Sequence, residues 1–333
     1  MKHLMNRNLH LRVFSTLIVF TLIWSCGGNK DSKSKSPILS VGESHLTVPG
    51  GNIWYKVTGT GTGTPVVLIH GGPGFSSYYL KPFAELGNDR QVIRYDQLGG
   101  GKSDKTTDTT LFTINHFVRE LDSLRKHLGL AKWHVFGHSW GTILALEYYR
   151  AHPDHVVSLT FGGACFNLPA YEKHALQLLT TLPDSSQQAV KKAEANGKFD
   201  DPGYQNAMNQ FYGMYVWRRP VQADLDSMFS TFNSGIYVYM QGPSEFTITG
   251  TLKKYDATSL LSQIKVPTLF TVGELDEVGP EIVKDFANKV SDSRYILFKG
   301  AAHITSWDAR DENIKVVRNF LNNVDSIAAK SNR

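Results

Sequence analysis

The sequence has few cysteines and no recognisable zinc motif. Among its 333 residues only Cys26 and Cys165 are cysteines, so at most one disulfide could form within the chain, and none if Cys26 is modified. No His-Glu-x-x-His motif occurs, and His116, His127 and His134 fall on separate predicted elements. These absences disfavour a zinc-dependent hydrolase, and neither a metal nor another cofactor is predicted.

A long membrane-spanning run is also missing. The N-terminal apolar stretch, Val13–Trp24, is too short to cross a bilayer comfortably. The residues before it include no acid and carry three positive charges: Lys2, Arg7 and Arg12. The stretch ends at Ser25-Cys26, where the chain turns polar. This order predicts a bacterial lipoprotein signal over residues 1–25 with lipid attached to Cys26; an ordinary signal peptide or an uncleaved anchor is the alternative.

Under this interpretation, residues 26–40 form a lipidated Gly/Ser/Lys linker that holds the protein off the membrane. The protein is then expected in the cell envelope, on the periplasmic side or on the outer membrane of a Gram-negative bacterium. The net charge of +5 does not predict a nucleic-acid partner, because three of those charges belong to the signal segment. The oligomeric state is left open.

Short apolar strands alternate with amphipathic helices along most of the remaining chain. Val66–Ile69 is a continuous apolar run, and residues 114–129 repeat apolar side chains every three or four positions. This alternation predicts the α/β class, with a mostly parallel sheet flanked by helices. It stops between residues 165 and 250, where we expect an inserted helical cap between core segments at 41–164 and 251–325.

The pentapeptide GHSWG, at 137–141, lies between a predicted strand and a predicted helix. In such a turn the serine hydroxyl projects above the carboxyl ends of the strands, and the two glycines let the backbones approach closely. Ser139 is therefore the candidate nucleophile of a serine hydrolase. Epoxide hydrolases and dehalogenases are disfavoured, since they need an aspartate here. His138 is expected to be structural or to line the pocket.

A serine hydroxyl becomes a good nucleophile only when a neighbouring base takes its proton. In hydrolases with this turn, an acidic residue and then a histidine follow the serine along the chain. His303 is the histidine that follows the last predicted strand, so it is the predicted base. The acid should end the preceding strand, where Glu274, Asp276 and Glu277 are all available.

The segment HGGPG, at 70–74, follows the apolar run that ends at Ile69. Glycines in this place allow backbone N–H groups to point at the oxyanion of a tetrahedral intermediate. The predicted donors are Gly71, Gly72 and the residue after the nucleophile, Trp140. A phosphate-binding loop is disfavoured, because no Lys-Ser or Lys-Thr pair follows these glycines.

Five motifs, in this order and at these spacings, resemble the proline iminopeptidase family of α/β-hydrolases, near its tricorn-interacting aminopeptidase and amino-acid amidase branch. They are HGGPG at 70–74, DQLGGGKSD at 96–104, GHSWGT at 137–142, VGELDE at 272–277 and GAAH at 300–303. The resemblance implies the α/β-hydrolase fold with a helical cap. It also implies that Asp276, among the three candidate acids, orients His303.

The same resemblance implies a serine aminopeptidase that releases an N-terminal residue, often proline, from a short peptide or an amino-acid amide through an acyl-enzyme. It implies further that Glu245 and Glu277 bind the protonated amino terminus, which paired carboxylates can do through charge-assisted hydrogen bonds. A carboxylesterase or lactonase could use the same triad, and a tethered binding protein could keep the fold without catalysis. The two glutamates favour the aminopeptidase.

Overall fold

Residues 37–331 are described here from a computed structural model. The predicted signal segment at 1–25, the predicted lipidation site Cys26 and most of the predicted linker lie outside the described residues. Within residues 37–331, no helix combines the length and the apolar character that crossing a membrane requires.

An eight-stranded sheet forms the centre of the described chain, with the strand order β1-β2-β4-β3-β5-β6-β7-β8. The strands are β1 (Gly42–Val48), β2 (Gly51–Thr58), β3 (Gly63–Ile69), β4 (Arg90–Asp96), β5 (Trp133–His138), β6 (Val156–Gly162), β7 (Thr268–Gly273) and β8 (Ser293–Phe298). The β1–β2 and β2–β4 pairs are antiparallel, and the other neighbouring pairs are parallel. Strands β5 and β7 are buried along their whole length, as expected for parallel strands covered on both faces.

Helices pack around this sheet, as the sequence predicts. They are α1 (Ile114–His127), α2 (Trp140–Ala151), α3 (Leu168–Leu179), α4 (Asp184–Asn196), α5 (Pro202–Tyr215), α6 (Gln222–Ser230), α7 (Ser234–Met240), α8 (Pro280–Ala287), α9 (Thr305–Asp308) and α10 (Arg310–Ser331). The predicted helix at 114–129 corresponds to α1, which begins where the Thr113 hydroxyl accepts a hydrogen bond from the His116 N–H at 3.2 Å. Its apolar stripe is buried, which fixes its orientation on the sheet.

Five helices, α3 to α7, lie between strands β6 and β7 and form the inserted cap. The Asn167 side chain starts the first of them by accepting a hydrogen bond from the Ala170 N–H at 2.8 Å. The Leu168 N–H donates to the Tyr255 carbonyl at 2.9 Å, so the chain leaves the sheet and returns to it at adjacent points. The cap therefore covers one end of the sheet without interrupting the parallel strands.

Candidate active site

Four loops that follow parallel strands bring the predicted site residues to one edge of the sheet. Gly71 and Gly72 follow β3, and Ser139 follows β5. Asp276 follows β7, and His303 follows β8. Because these strands run in the same direction, their carboxyl ends meet at the same edge, where open α/β sheets bind their ligands.

Ser139 occupies a strained backbone position between β5 and α2. Its φ is 56° and its ψ is −127°, and among the described residues it is the one non-glycine residue with a positive φ. A Cβ on Gly137 would lie 2.2 Å from the Gly141 carbonyl oxygen, and a Cβ on Gly141 would lie 2.3 Å from that of Ile69. Both glycines are therefore needed for the tight turn that exposes the serine.

Asp276 and His303 form a buried hydrogen-bonded pair. The Nδ1 atom of His303 lies 2.7 Å from Oδ1 of Asp276. Burial alone would lower the pKa of His303, but the charge and the hydrogen bond of Asp276 outweigh it and raise that pKa above its ordinary value. Burial likewise opposes ionisation of Asp276, yet His303 holds the pKa of Asp276 below its ordinary value. The pair can therefore hold a proton on the imidazole while the carboxylate stays ionised.

The structure distinguishes the three candidate acids. Asp276 contacts Nδ1 of His303, whereas Oε2 of Glu274 accepts a hydrogen bond from the Gly300 N–H at 2.8 Å. Oε1 of Glu277 lies 3.9 Å from Nε2 of His303, on the other side of the ring. Asp276 thus has the geometry of the orienting acid, Glu274 braces the loop, and Glu277 faces the reacting side. Ser139 and His303 line the same cavity.

The structure departs from the expectation for one of the three predicted oxyanion donors, Gly71. The Gly71 N–H donates to the Tyr79 hydroxyl at 2.6 Å, so it does not point into the site. The N–H groups of Gly72 and Trp140 make no hydrogen bond to another described residue and are the available donors. Gly71 is required for a different reason, because a Cβ there would lie 2.7 Å from Cβ of Ser139.

Gln97 connects the two oxyanion segments, a role that sequence analysis did not identify. Its N–H donates to Nε2 of His70 at 3.0 Å, and its side-chain amide donates to the His70 carbonyl at 3.0 Å. Its Oε1 accepts from the indole N–H of Trp140 at 2.8 Å. Through Gln97, the DQLGGGKSD motif therefore fixes the position of the HGGPG turn relative to Trp140, the residue after the nucleophile.

A chain of three hydrogen bonds runs behind the site from Gly71 to the backbone of His303. Burial, together with the His303 charge, lowers the pKa of His138 to about 3, so this imidazole is neutral and carries one N–H. Nε2 of His138 lies 2.9 Å from the His303 carbonyl, which can only accept, so Nε2 is the donor. Nδ1 of His138 therefore accepts from the Tyr79 hydroxyl at 3.0 Å, and Tyr79 accepts from Gly71.

Two carboxylates lie beside this catalytic arrangement. The Tyr237 hydroxyl donates to Oε1 of Glu245 at 2.6 Å, and the Tyr171 hydroxyl donates to Oε2 at 2.6 Å. Gln241 donates to the same Oε2 atom at 3.2 Å. Three donors from the cap therefore fix the orientation of Glu245.

Glu277 is buried, and no lysine or arginine among the described residues forms an ion pair with it. Its side chain is 1% exposed, and its Oε2 atom has no hydrogen-bond partner among the described residues. Burial, followed by the charges of Glu245 and Asp276, raises the pKa of Glu277 well above its ordinary value. A buried carboxylate in this environment is stabilised when a positive charge binds next to it.

Two cavities meet at Ser139, Gly72 and Glu245. The first, which we call the histidine-side cavity, includes His303 in its lining, together with Phe75, Tyr212, Val216, Trp217, Met228 and Ile304. The second, the tyrosine-side cavity, is lined in part by Ile143, Cys165, Leu168, Tyr171, Tyr237 and Leu252. The nucleophile can thus reach a bond that lies between two bound groups.

Known proteins share this architecture. A sequence profile of the α/β-hydrolase fold matches residues 64–309. The proline iminopeptidase of Heyndrickxia coagulans is 38% identical over 285 residues, 85% of this chain and 99% of that protein. The crystal structure of VinJ is similar with a TM-score of 0.81 at 30% identity, covering 85% and 99% of the two chains. That of a proline iminopeptidase from Mycobacterium smegmatis is similar with a TM-score of 0.78 at 30% identity, covering 86% and 100%.

Solved esterases and an enol-lactonase also share the fold, but at 21% identity or less, which is a likeness of fold alone. The Heyndrickxia protein is also matched over nearly its whole length, but at the higher identity of 38%. The chain therefore belongs to the proline iminopeptidase family of α/β-hydrolases.

Proposed function

We propose that this protein is a serine aminopeptidase that releases an N-terminal residue, preferably proline, from short peptides or amino-acid amides. The observation that carries the proposal is a pair of carboxylates at the site: Glu245 lines both cavities with Ser139, and Oε1 of Glu277 lies 3.9 Å from Nε2 of His303. An enzyme that acts on esters alone has no need of two carboxylates there. A free amino terminus supplies the positive charge that the buried Glu277 lacks.

The proposed reaction uses the chain's own residues and proceeds in two halves. Ser139 attacks the carbonyl carbon of the first residue while His303 takes the hydroxyl proton, and the oxyanion accepts hydrogen bonds from the Gly72 and Trp140 N–H groups. His303 then protonates the leaving nitrogen, and an acyl-enzyme remains. Water, deprotonated by His303, attacks the acyl-enzyme and releases the free amino acid.

The proposed preference for proline rests on the number of N–H groups on the substrate's amino nitrogen and on the apolar lining of the tyrosine-side cavity. A protonated proline nitrogen has two N–H groups, which match the two carboxylates, whereas a primary ammonium has three. Leu168, Ile143 and the ring of Tyr171 give the cavity an apolar wall, against which the methylene groups of a proline ring can pack. We expect proline substrates to be turned over faster than alanine substrates.

The test compares four substrates with the full-length enzyme in detergent. They are the 4-nitroanilides of proline, alanine and N-acetylproline, and a short acyl ester, with Ser139→Ala as the blank. The proposal predicts rapid turnover of the two free-amine anilides and none of the acetylated one. Equal turnover of the free and acetylated anilides would overturn it, and turnover of the ester alone would assign the protein to the carboxylesterases.

Tyr79 offers a test of the hydrogen-bonded chain behind the site. Tyr79→Phe leaves the Gly71 N–H and Nδ1 of His138 without their partner, and a buried unpaired group costs about 1–3 kcal/mol. We expect the turn at Gly71 and the His303 loop to shift, which lowers kcat for proline 4-nitroanilide by about 10–100-fold. KM should change little, because Tyr79 does not contact the two carboxylates.

The matched control is Tyr55→Phe, which removes a hydroxyl that lies 3.1 Å from Nε2 of His127, on β2 and away from the site. Both variants lose one tyrosine hydroxyl from a buried ring. Only the Tyr79 variant should lose kcat. Equal kcat values in the two variants would contradict a positioning role for Tyr79.

We propose in addition that lipid on Cys26 tethers the enzyme in the bacterial cell envelope. The support is the basic, apolar and Ser-Cys order of residues 1–26. The wild-type protein should incorporate labelled palmitate and sediment with membranes, whereas Cys26→Ser should do neither. Sedimentation of unlabelled Cys26→Ser with membranes would indicate an uncleaved anchor instead.

A further inference from the structure

The chemistry of the site assigns the two cavities to opposite sides of the scissile bond; this step rests on the proposed function. The leaving nitrogen must receive its proton from the general base, so it departs towards His303. His303 lines the histidine-side cavity and is absent from the lining of the tyrosine-side cavity. The first residue carries the amino group, and Tyr171 and Tyr237, which hold Glu245, line the tyrosine-side cavity. The histidine-side cavity therefore faces the residue that follows the scissile bond.

The wall of the histidine-side cavity is apolar and rich in aromatic rings. Phe75 and Trp217 are both part of a larger cluster of rings, in which Phe75 stacks on Phe232 with the centroids 4.1 Å apart. Trp217 packs edge to face against Tyr212 and Phe229, with ring centroids 5.1 Å and 5.9 Å away, respectively. Phe229 is 46% exposed, so the cluster reaches the surface at this point. Rings already packed against one another lose little further freedom when a ligand binds.

The acidic and basic side chains that line this cavity belong to the site already described. Glu245 and His303 line the cavity, and both already take part in the proposed reaction. His138 also lines it but stays neutral, because burial lowers its pKa to about 3. A lysine or aspartate side chain entering here would therefore lose its hydration without gaining a partner of its own.

Backbone hydrogen bonds fix the position of this wall relative to the general base, His303. The His303 N–H donates to the Tyr215 carbonyl at 3.1 Å, and the Ile304 N–H donates to the Val216 carbonyl at 2.7 Å. Asp308 accepts from the N–H groups of Arg219 and Ala302, each at 2.8 Å, and so joins the segment after helix α5 to the same loop. Trp217 lies between these attachments, so its position is fixed relative to His303.

We propose that the histidine-side cavity is a binding subsite for a large apolar residue, preferably aromatic, immediately after the scissile bond, and that Trp217 is its principal contact. The enzyme then selects its substrates by their second residue as well as by their first. Peptides with phenylalanine, tryptophan or leucine in second place are the preferred class, and those with lysine or aspartate in second place are poor substrates.

The experiment measures kcat/KM of the full-length enzyme for four dipeptide amides: Pro-Phe-NH₂, Pro-Gly-NH₂, Pro-Lys-NH₂ and Pro-Asp-NH₂. The amide removes the C-terminal charge, which would otherwise compete with the side chain. A hydrophobic subsite should favour Pro-Phe-NH₂ over Pro-Gly-NH₂ by about tenfold or more, and over the two charged peptides by at least as much. Equal values for all four peptides would overturn the proposal.

Two variants connect the preference to Trp217. Trp217→Ala should reduce the ratio of Pro-Phe-NH₂ to Pro-Gly-NH₂ to about threefold or less, since the main contact surface is lost. Trp217→Leu, which keeps apolar bulk, should retain discrimination against the charged peptides, and it replaces the alanine variant if that one does not fold. In a folded Trp217→Ala variant, an unchanged ratio of kcat/KM for Pro-Phe-NH₂ to kcat/KM for Pro-Gly-NH₂ contradicts the role of Trp217.

The matched control is Tyr239→Ala. Tyr239 is also a partly exposed aromatic residue of the cap and contacts Phe112 at 5.8 Å, but it lines a separate surface groove. This control should leave both kcat and the peptide ratio unchanged. A fall in the ratio equal to that of Trp217→Ala would show that the effect comes from general loosening of the cap, against the proposal.

Ester substrates separate failure of this inference from failure of the proposed function. If none of the peptide amides is cleaved but acyl esters are, the aminopeptidase assignment is wrong, yet the leaving alcohol still departs towards His303. Benzyl acetate should then be preferred over methyl acetate by wild-type enzyme and not by Trp217→Ala. No preference for the benzyl ester would overturn the subsite by itself.

Discussion

Replacing Ser139 by alanine is expected to lower kcat for proline 4-nitroanilide by about 10⁶-fold. Without the hydroxyl no acyl-enzyme can form, and His303 has no proton to accept from the nucleophile. The activity that remains should come from substrate binding and from the Gly72 and Trp140 N–H groups, which can still stabilise direct attack by water. Steady-state rates of 4-nitroaniline release measure the effect. Activity above about 1% of wild type would exclude Ser139 as the nucleophile.

The backbone of Ser139 provides an internal control for this variant. At φ 56° any residue with a Cβ is strained, and such strain costs about 1–3 kcal/mol. Ser139→Gly should therefore be as inactive as Ser139→Ala but more stable, while Ser139→Ala should unfold close to the wild-type temperature. Thermal unfolding of the three proteins separates loss of chemistry from loss of structure. A Ser139→Gly variant less stable than Ser139→Ala would contradict the strained turn.

The parts of the site that lie next to a strand are predictable from the sequence because their signal is local. A strand, a glycine-flanked serine and a helix follow one another within a few residues, and the structure has β5, Ser139 and α2 in this order. The parallel sheet and the cap are predictable in the same way, since the alternation of strands and helices stops where the cap begins.

The contacts between distant segments could not be predicted. Tyr79 lies 8 residues from Gly71 and 59 from His138, and no sequence pattern indicates that one hydroxyl would bond to both. Its bond to Gly71 turns the expected oxyanion donor away from the site. Asp276 and Glu277 are adjacent in the chain, yet they face Nδ1 and Nε2 of His303, which depends on the three-dimensional path of the loop after β7.

Replacing Glu277 by glutamine is expected to lower kcat/KM for proline 4-nitroanilide by about 10²–10³-fold. The substrate ammonium would lose one of its two carboxylate partners, and removing one member of a buried charge pair costs about 2–5 kcal/mol. Hydrolysis of an acyl ester should fall far less, because Ser139, His303 and Asp276 remain. Equal losses for the anilide and the ester would assign Glu277 to the general chemistry and not to recognition of the amine.

The same substitution is expected to stabilise the free enzyme at neutral pH. The folded-state pKa of Glu277 is raised above its unfolded value, so the folded protein loses stability as the pH rises above about 4.5, the ordinary value for glutamate. Glutamine removes this cost. We expect Glu277→Gln to gain about 1 kcal/mol, or about 2–4 °C in Tm, at pH 7, and little at pH 4. Destabilisation at pH 7 would indicate that Glu277 is a structural residue.

The pH dependence of kcat/KM tests both ionisations at once. His303 must be neutral to act as a base and Glu277 must be ionised to bind an ammonium, and the pKa of each is raised above its ordinary value. The value of kcat/KM is therefore highest at a pH above both pKa values, and it decreases as the pH falls through them. In the wild type, log(kcat/KM) should approach a slope of about 2 at acid pH, with apparent pKa values that belong to the interacting pair. In Glu277→Gln a single ionisation remains, and the limiting slope should fall to about 1; a slope that does not change would show that Glu277 does not control binding of the amine.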